Sequence, residues 1–164
     1  GSDVPFCLAG GTMRALGRGE RLEPLAPMPH CYIVLAKPPQ SVSTAWVYGN
    51  YRSEAVNFHP DIPGMMTSLA IGDYAGIVSR LGNVLESVTI PVYAAVAKIK
   101  QLLSDSGAAA LMSGSGPTVF GLVANRQQAE EVAIRLRHEV TADVFIAETI
   151  TGVEIRDGEK ISTD

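Results

Sequence analysis

Leu111-Met112-Ser113-Gly114-Ser115-Gly116-Pro117-Thr118-Val119-Phe120-Gly121 is the stretch from which the fold of this 164-residue chain is best read. Two apolar runs of strand length, Ala108 to Met112 and Thr118 to Val123, enclose a loop of small residues. With no bulky side chains there, backbone N–H groups and hydroxyls can approach a ligand closely, which suits phosphate oxygens. On the loop alone, a plain glycine-containing hairpin turn is the stronger account. It is no Walker A loop, since no Lys-Ser or Lys-Thr follows the glycines.

Working outward, Pro91 to Asp105 predicts one long helix. Pro91 suits a first turn, Val92, Val96, Ile99 and Leu103 form one apolar stripe, and Gly107 follows the end. Gln127 to His138 is amphipathic, with Ala129, Val132, Ala133 and Leu136 inward, and Asp143 to Ile150 reads as a last strand. Toward the N-terminus, Cys31 to Ala36 is an apolar run of strand length stopped by Pro38-Pro39. Ser41 or Ser43 can cap a helix through Trp46 and Tyr48. Pro63 to Ile71 and Asp73 to Leu81 are two short helices, the second capped by Asp73 and ended by Gly82. The order strand, several helices, strand, strand, helix, strand fits an α+β fold. Its expected form is a split βαβ, ferredoxin-like antiparallel sheet with helices on one face.

The first 28 residues differ. Pro5 to Leu8 and Thr12 to Leu16 read as short strands joined by Gly10-Gly11 and followed by Gly17-Arg18-Gly19-Glu20, a β ribbon with little core of its own. Residues 1–28 are therefore expected to be the remnant of another domain, 29–150 the body of this one, and 151–164 a polar tail.

Composition narrows the function classes. The chain is 46% hydrophobic and 18% charged, enough to bury a core. A formal net charge of −4 gives no whole-chain basic field for a nucleic-acid backbone or an anionic membrane. No apolar stretch approaches bilayer length and no signal-like segment opens the chain, so a cytosolic setting is expected. Cys7 and Cys31 sit alone and read as small buried hydrophobes.

Few side chains stand out as chemistry. Asp3, before Val4-Pro5, could serve as a general base, although a solvated turn residue is the better reading from position alone. Trp46 and Tyr48 could stack on a ring, yet on an apolar helix face they read first as core. His30, His59 and His138 have no metal-ligand spacing and receive no role; no metal ligands are assigned. Lys98 and Lys100 read as the solvated face of the long helix.

Taken jointly, the segments are more specific. Gly1-Ser2-Asp3-Val4-Pro5-Phe6, Gly10-Gly11-Thr12 with Gly17-Arg18-Gly19-Glu20, Lys37-Pro38 with Val42-Ser43-Thr44, Leu81 to Glu86, and Gly107 through Gly121 occur in one order. That series resembles the GHMP kinase superfamily, continuously to about Val123 and more loosely to about Ile150. Within it, the likeness is to members that phosphorylate the 2-hydroxyl of 4-diphosphocytidyl-2-C-methyl-D-erythritol in non-mevalonate isoprenoid biosynthesis. The resemblance implies an ATP-dependent small-molecule kinase, with Mg2+ accompanying the nucleotide. Asp3 matches the catalytic aspartate, which would be the base facing the substrate hydroxyl. Ser113, Gly114, Ser115 and Gly116 match the third superfamily motif, near the phosphates. Tyr48 falls where an aromatic stacks on cytosine, with Thr44 one turn before it. A Cβ at Gly114 or Gly116 is then expected to obstruct phosphate while folding survives.

The family's catalytic lysine and its glycine-serine phosphate loop lie upstream of its aspartate motif, and neither is in this chain. The expectation is the C-terminal part of a kinase, with the N-terminal nucleotide-binding domain as its partner and no productive ATP binding on its own. Another GHMP kinase, such as a homoserine or mevalonate type, and a non-catalytic ferredoxin-like metabolite-binding module are the rival readings. An upstream glycine-serine loop separates kinase from module.

Overall fold

The computed structural model describes residues 4–56 and 58–150. Asp3 and the polar tail from residue 151 lie outside the described residues. A four-stranded antiparallel sheet forms the centre, built from β3 (Tyr32–Lys37), β4 (Ala109–Met112), β5 (Val119–Val123) and β6 (Asp143–Glu148) in the spatial order β4-β5-β3-β6. This is the split βαβ arrangement expected. Partners across the ladders share a face: Ala36 sits opposite Val119, and Met112 opposite Val119 on the other side. On that face Val34, Ala36, Met112, Val119 and Val123 are buried against α6 (Ala94–Asp105) and α7 (Arg126–Glu139). Val96, Ile99 and Leu103 from α6 meet Ala129, Val132, Ala133 and Leu136 from α7 in one core. Burying a side chain such as Ile99 or Leu103 contributes about 1.5–3 kcal/mol, and Leu103→Ala would cost about 2–5 kcal/mol.

Local chemistry sets most helix starts. The Ser43 hydroxyl accepts the Trp46 N–H to open α2 (Thr44–Asn50), and Asp73 accepts the Gly76 N–H to open α4 (Tyr74–Ser79). Asn125 accepts the Gln128 N–H at the head of α7. Asp61 does the same through Gly64 for α3 (Ile62–Ala70), with Pro63 in the first turn where a missing N–H costs nothing. The Asp61 carboxyl is held below the usual carboxylate range, first by the Gly64 N–H and then by Arg80.

Several expectations fail for physical reasons. Pro5 to Leu8 is not a strand: Val4–Ala9 forms a short helix, α1, in which Pro5 occupies the tolerant first turn. Cys7 is exposed there, whereas Cys31 is buried and burial pushes its thiol pKa up. The long helix from Pro91 is two helices. Pro91 lies near the end of α5 (Glu86–Val92), and the chain breaks at Tyr93 (φ −107°, ψ 86°) before α6 begins. Proline there removes the N–H and crowds the preceding turn, so Val92 turns outward at 59% exposure instead of joining the stripe. Gly82 does not end α4; Arg80 does.

The ribbon is as expected in its second part. β1 (Met13–Leu16) pairs antiparallel with β2 (Arg21–Pro24) as a separate two-stranded sheet. Its Met13 and Ala15, with Met65 and Leu69 of α3, face Ile33 and Leu122 on the second side of the large sheet around an apolar cavity of ≈ 460 Å³, so helices lie on both faces and not on one as expected. Among the described residues no helix is long and apolar enough to cross a membrane.

Candidate functional site

The loop between β4 and β5 is held by hydrogen bonds that leave one part of it unsatisfied. Ser113 N–H donates to Thr118 O at 2.9 Å and Gly116 N–H to Ser113 O at 2.9 Å, closing the turn. Its carbonyls are taken by side chains from the head of α5. Asn83 Nδ2 donates to Met112 O at 2.9 Å and to Gly114 O at 2.7 Å, while its Oδ1 accepts the Leu85 N–H. Thr89 Oγ1, fully buried, donates to Ser115 O at 3.1 Å. Glu86 Oε1 accepts the Met112 N–H at 2.8 Å, and its second oxygen takes the ammonium of Lys100. Lys100 is therefore tied down beneath the loop and is not part of a solvated face. Among the described residues, the N–H groups of Gly114 and Ser115 have no protein acceptor. Successive free amides at a glycine turn are what an anion requires.

Gly114 (φ +55°) and Gly116 (φ +86°) both use the left-handed backbone region, so the turn demands glycine at each. Their surroundings differ, which corrects the expectation that a Cβ at either obstructs ligand alone. At Gly114 a Cβ would meet nothing within 4 Å. At Gly116 it would press on Met112 Sδ at 2.9 Å and Thr89 Cγ2 at 3.3 Å. Gly114 is an accessible site; Gly116 is a packing site.

Two more predicted residues join the loop. Thr44 Oγ1 and Ser115 Oγ share a hydrogen bond at 2.9 Å, linking the first turn of α2 to the glycine turn. Tyr48, 62% exposed, lines a groove of ≈ 510 Å³ with Tyr51, Asn83, Leu111, Ser113, Gly114 and Phe120. Neither Tyr48 nor Trp46 is core. Val47, between them in α2, is the buried residue, and Trp46 sits edge-on to Tyr93 at 6.3 Å. The groove is lined by the aromatic Tyr48, Tyr51 and Phe120 together with Ser113 and Gly114 of the turn, and none of its described lining residues is charged. Such a surface suits a planar heterocycle beside an anionic group, with charge compensation coming from amides.

Thr89 and Tyr51 were not singled out from the sequence, and Asn83 and Glu86 stood there only within the Leu81 to Glu86 segment, with no role of their own. Their spacing was the available signal: positions 83, 86 and 89 recur every three residues, and the helix starts with i→i+3 bonds from Asn83 and Val84. Placing the helix start at Pro91 hid it. His30 pairs with Glu148 at the surface at 3.2 Å. Among the described residues no three metal-ligating side chains converge.

Comparison with known proteins bears on the family. The family model "GHMP kinases C terminal" matches residues 65–141. The chain is 46% identical over 153 residues to a Lachnospira eligens protein named 4-diphosphocytidyl-2-C-methyl-D-erythritol kinase, covering 92% of this chain and 53% of that protein. It is 51% identical over 138 residues to a protein of the same name from Geobacillus thermodenitrificans, covering 84% of this chain and 47% of that one. A crystal structure of 4-(cytidine 5'-diphospho)-2C-methyl-D-erythritol kinase superposes with a TM-score of 0.76 at 30% identity, over 93% of this chain and 55% of that one. A homoserine kinase from Cytophaga hutchinsonii shares the fold at 18% identity, with a TM-score of 0.71 over 90% of this chain and 50% of its own. The chain spans about half the length of the curated relatives it matches. With the loop, the sheet order and these likenesses together, the chain belongs to the GHMP kinase family and carries its C-terminal domain.

Proposed function

We propose that this chain is the C-terminal part of an enzyme that moves the γ-phosphoryl group of ATP to the 2-hydroxyl of 4-diphosphocytidyl-2-C-methyl-D-erythritol. The observation that carries this reading is the juxtaposition of the exposed Tyr48 with the glycine turn whose Gly114 and Ser115 amides are free. It sets a surface for the cytosine beside a turn whose free amides suit the phosphates of ATP, and relatives about half identical bear that enzyme's name.

Asp3 is the proposed general base. The 2-hydroxyl oxygen forms its bond to the γ-phosphorus as the bond from that phosphorus to the β–γ bridging oxygen breaks, ADP leaves, and the hydroxyl proton goes to Asp3. Tyr48 stacks on the cytosine, and Thr44 positions Ser115 of the loop through their shared hydrogen bond. Phosphoryl transfer asks chiefly for positioning and charge stabilisation, which two preorganised amides supply in part. The cationic share, and the main nucleotide loop, are assigned to an N-terminal nucleotide-binding domain joined to this one. The described residues offer no magnesium cage. Mg2+ can be held by substrate phosphates and one carboxylate, and no part of the reading depends on it.

The test is a substrate panel with the complete kinase. Transfer from ATP to the cytidyl substrate, with none to homoserine or mevalonate, is the expected result. Preference for either of those alcohols would assign the chain to another branch of the family, and metabolite binding without transfer would favour the non-catalytic module.

A further inference from the structure

We propose that Asn83, Glu86 and Thr89, a stripe along the head of α5, are the positioning residues that aim the glycine loop at phosphate. The inference rests on the reading of that loop given above. A trans peptide is planar, with its C=O and N–H pointing in opposite directions. Asn83 holds Gly114 O on the α5 side at 2.7 Å, so the N–H of Ser115 in the same peptide faces away from α5. The Gly114 N–H belongs to the peptide whose carbonyl, Ser113 O, is turned inward to accept the Gly116 N–H. Thr89 fixes the next peptide through Ser115 O. Glu86 anchors the strand end by accepting the Met112 N–H, and its charge is matched by Lys100, so no bare carboxylate confronts an incoming anion.

The carbonyl oxygens of Met112, Gly114 and Ser115 are thus held from the α5 side and that of Ser113 within the turn, which leaves the N–H groups of Gly114 and Ser115 free. Without the stripe, the loop peptides can rotate and present carbonyl oxygens, which repel phosphate. A glycine pair makes that rotation easy. The stripe therefore supplies what the loop's composition removes, a single preorganised orientation.

The experiment compares Thr89→Val, which removes the hydroxyl at constant shape, with Thr89→Ser, which keeps it and trims a methyl. Both are made in the complete kinase, with Gly114→Ala as a reference for the loop itself. Thr89→Val is expected to raise KM for ATP on the order of 10-fold with kcat changed far less, as loss of one orienting hydrogen bond would. Thr89→Ser returns KM to near the parent value although it has the smaller side chain. Asn83→Ala, at the more accessible end of the stripe, is expected to raise KM likewise and serves if Thr89→Val does not fold. Equal KM values for the valine and serine variants, or an unchanged KM in Asn83→Ala, would overturn the positioning role if Gly114→Ala still raises KM. An unchanged KM in Gly114→Ala would overturn the phosphate reading of the loop, and the inference with it.

Discussion

Gly116→Ala and Gly114→Ala should fail in different ways, because one glycine is packed and the other is open. At Gly116 the new methyl group sits at φ +86°, 2.9 Å from Met112 Sδ and 3.3 Å from Thr89 Cγ2. Met112 is 1% exposed and Thr89 fully buried, so neither can retreat into solvent. A left-handed non-glycine residue costs about 1–2 kcal/mol and overpacking about 1–3 kcal/mol, together about 2–5 kcal/mol. For a domain of this size the midpoint should fall by roughly 4–20 °C. At Gly114 only the backbone cost applies, roughly 2–8 °C, since no atom lies within 4 Å. Calorimetric melting of both variants beside the parent gives the comparison. In the complete kinase the ranking reverses: Gly114→Ala raises KM for ATP more than Gly116→Ala does, measured per folded molecule. A Gly116→Ala midpoint within about 1 °C of the parent, or a larger loss at Gly114, would refute the assignment of one glycine to packing and the other to ligand.

Asp3→Asn in the complete kinase should lower turnover about 10²- to 10⁴-fold with little change in KM, measured by steady-state kinetics; a near-normal rate removes Asp3 from the mechanism. Tyr48→Leu should raise KM for the cytidyl substrate about 10-fold, the worth of one base stacked on an aromatic ring, and leave KM for ATP unchanged. Asp61→Asn should lose stability that is present at neutral pH. Its folded carboxyl pKa is depressed by Gly64 and Arg80, so the contribution is full above the ordinary carboxylate range and fades as pH falls through the lower folded value. The gap in melting temperature between parent and variant should therefore close on acidification, and a gap that widens there contradicts the sign.

Much of this architecture was legible because the signals are local. Ser43, Asp73 and Asn125 carry their own cap oxygens, so α2, α4 and α7 start where short-range hydrogen bonding puts them. The four buried positions of α7 follow from its period, and the strands around the glycine loop follow from uninterrupted apolar runs. The order of elements then left few topologies for the sheet, because crossovers are short and helices must cover apolar faces. The loop residues and their small side chains were equally plain.

Less legible was anything decided by partners distant in the chain. Whether Pro91 opens a helix or closes one depends on what its neighbours pack against, and α5 exists because Glu86 and Thr89 find Met112 and Ser115 more than twenty residues away. Trp46 and Tyr48 have the composition of core, but the register of α2 buries Val47 and leaves Tyr48 to the groove. Lys100 looked solvated until the fold brought Glu86 to it. By itself, then, the sequence determined the local elements, the α+β order and the family likeness, since these depend on neighbours a few residues apart. Only the tertiary structure decided which glycine is packed and which is open. It also decided which loop amides stay free, because a backbone group's partner is set by whatever side chain the rest of the fold delivers to it.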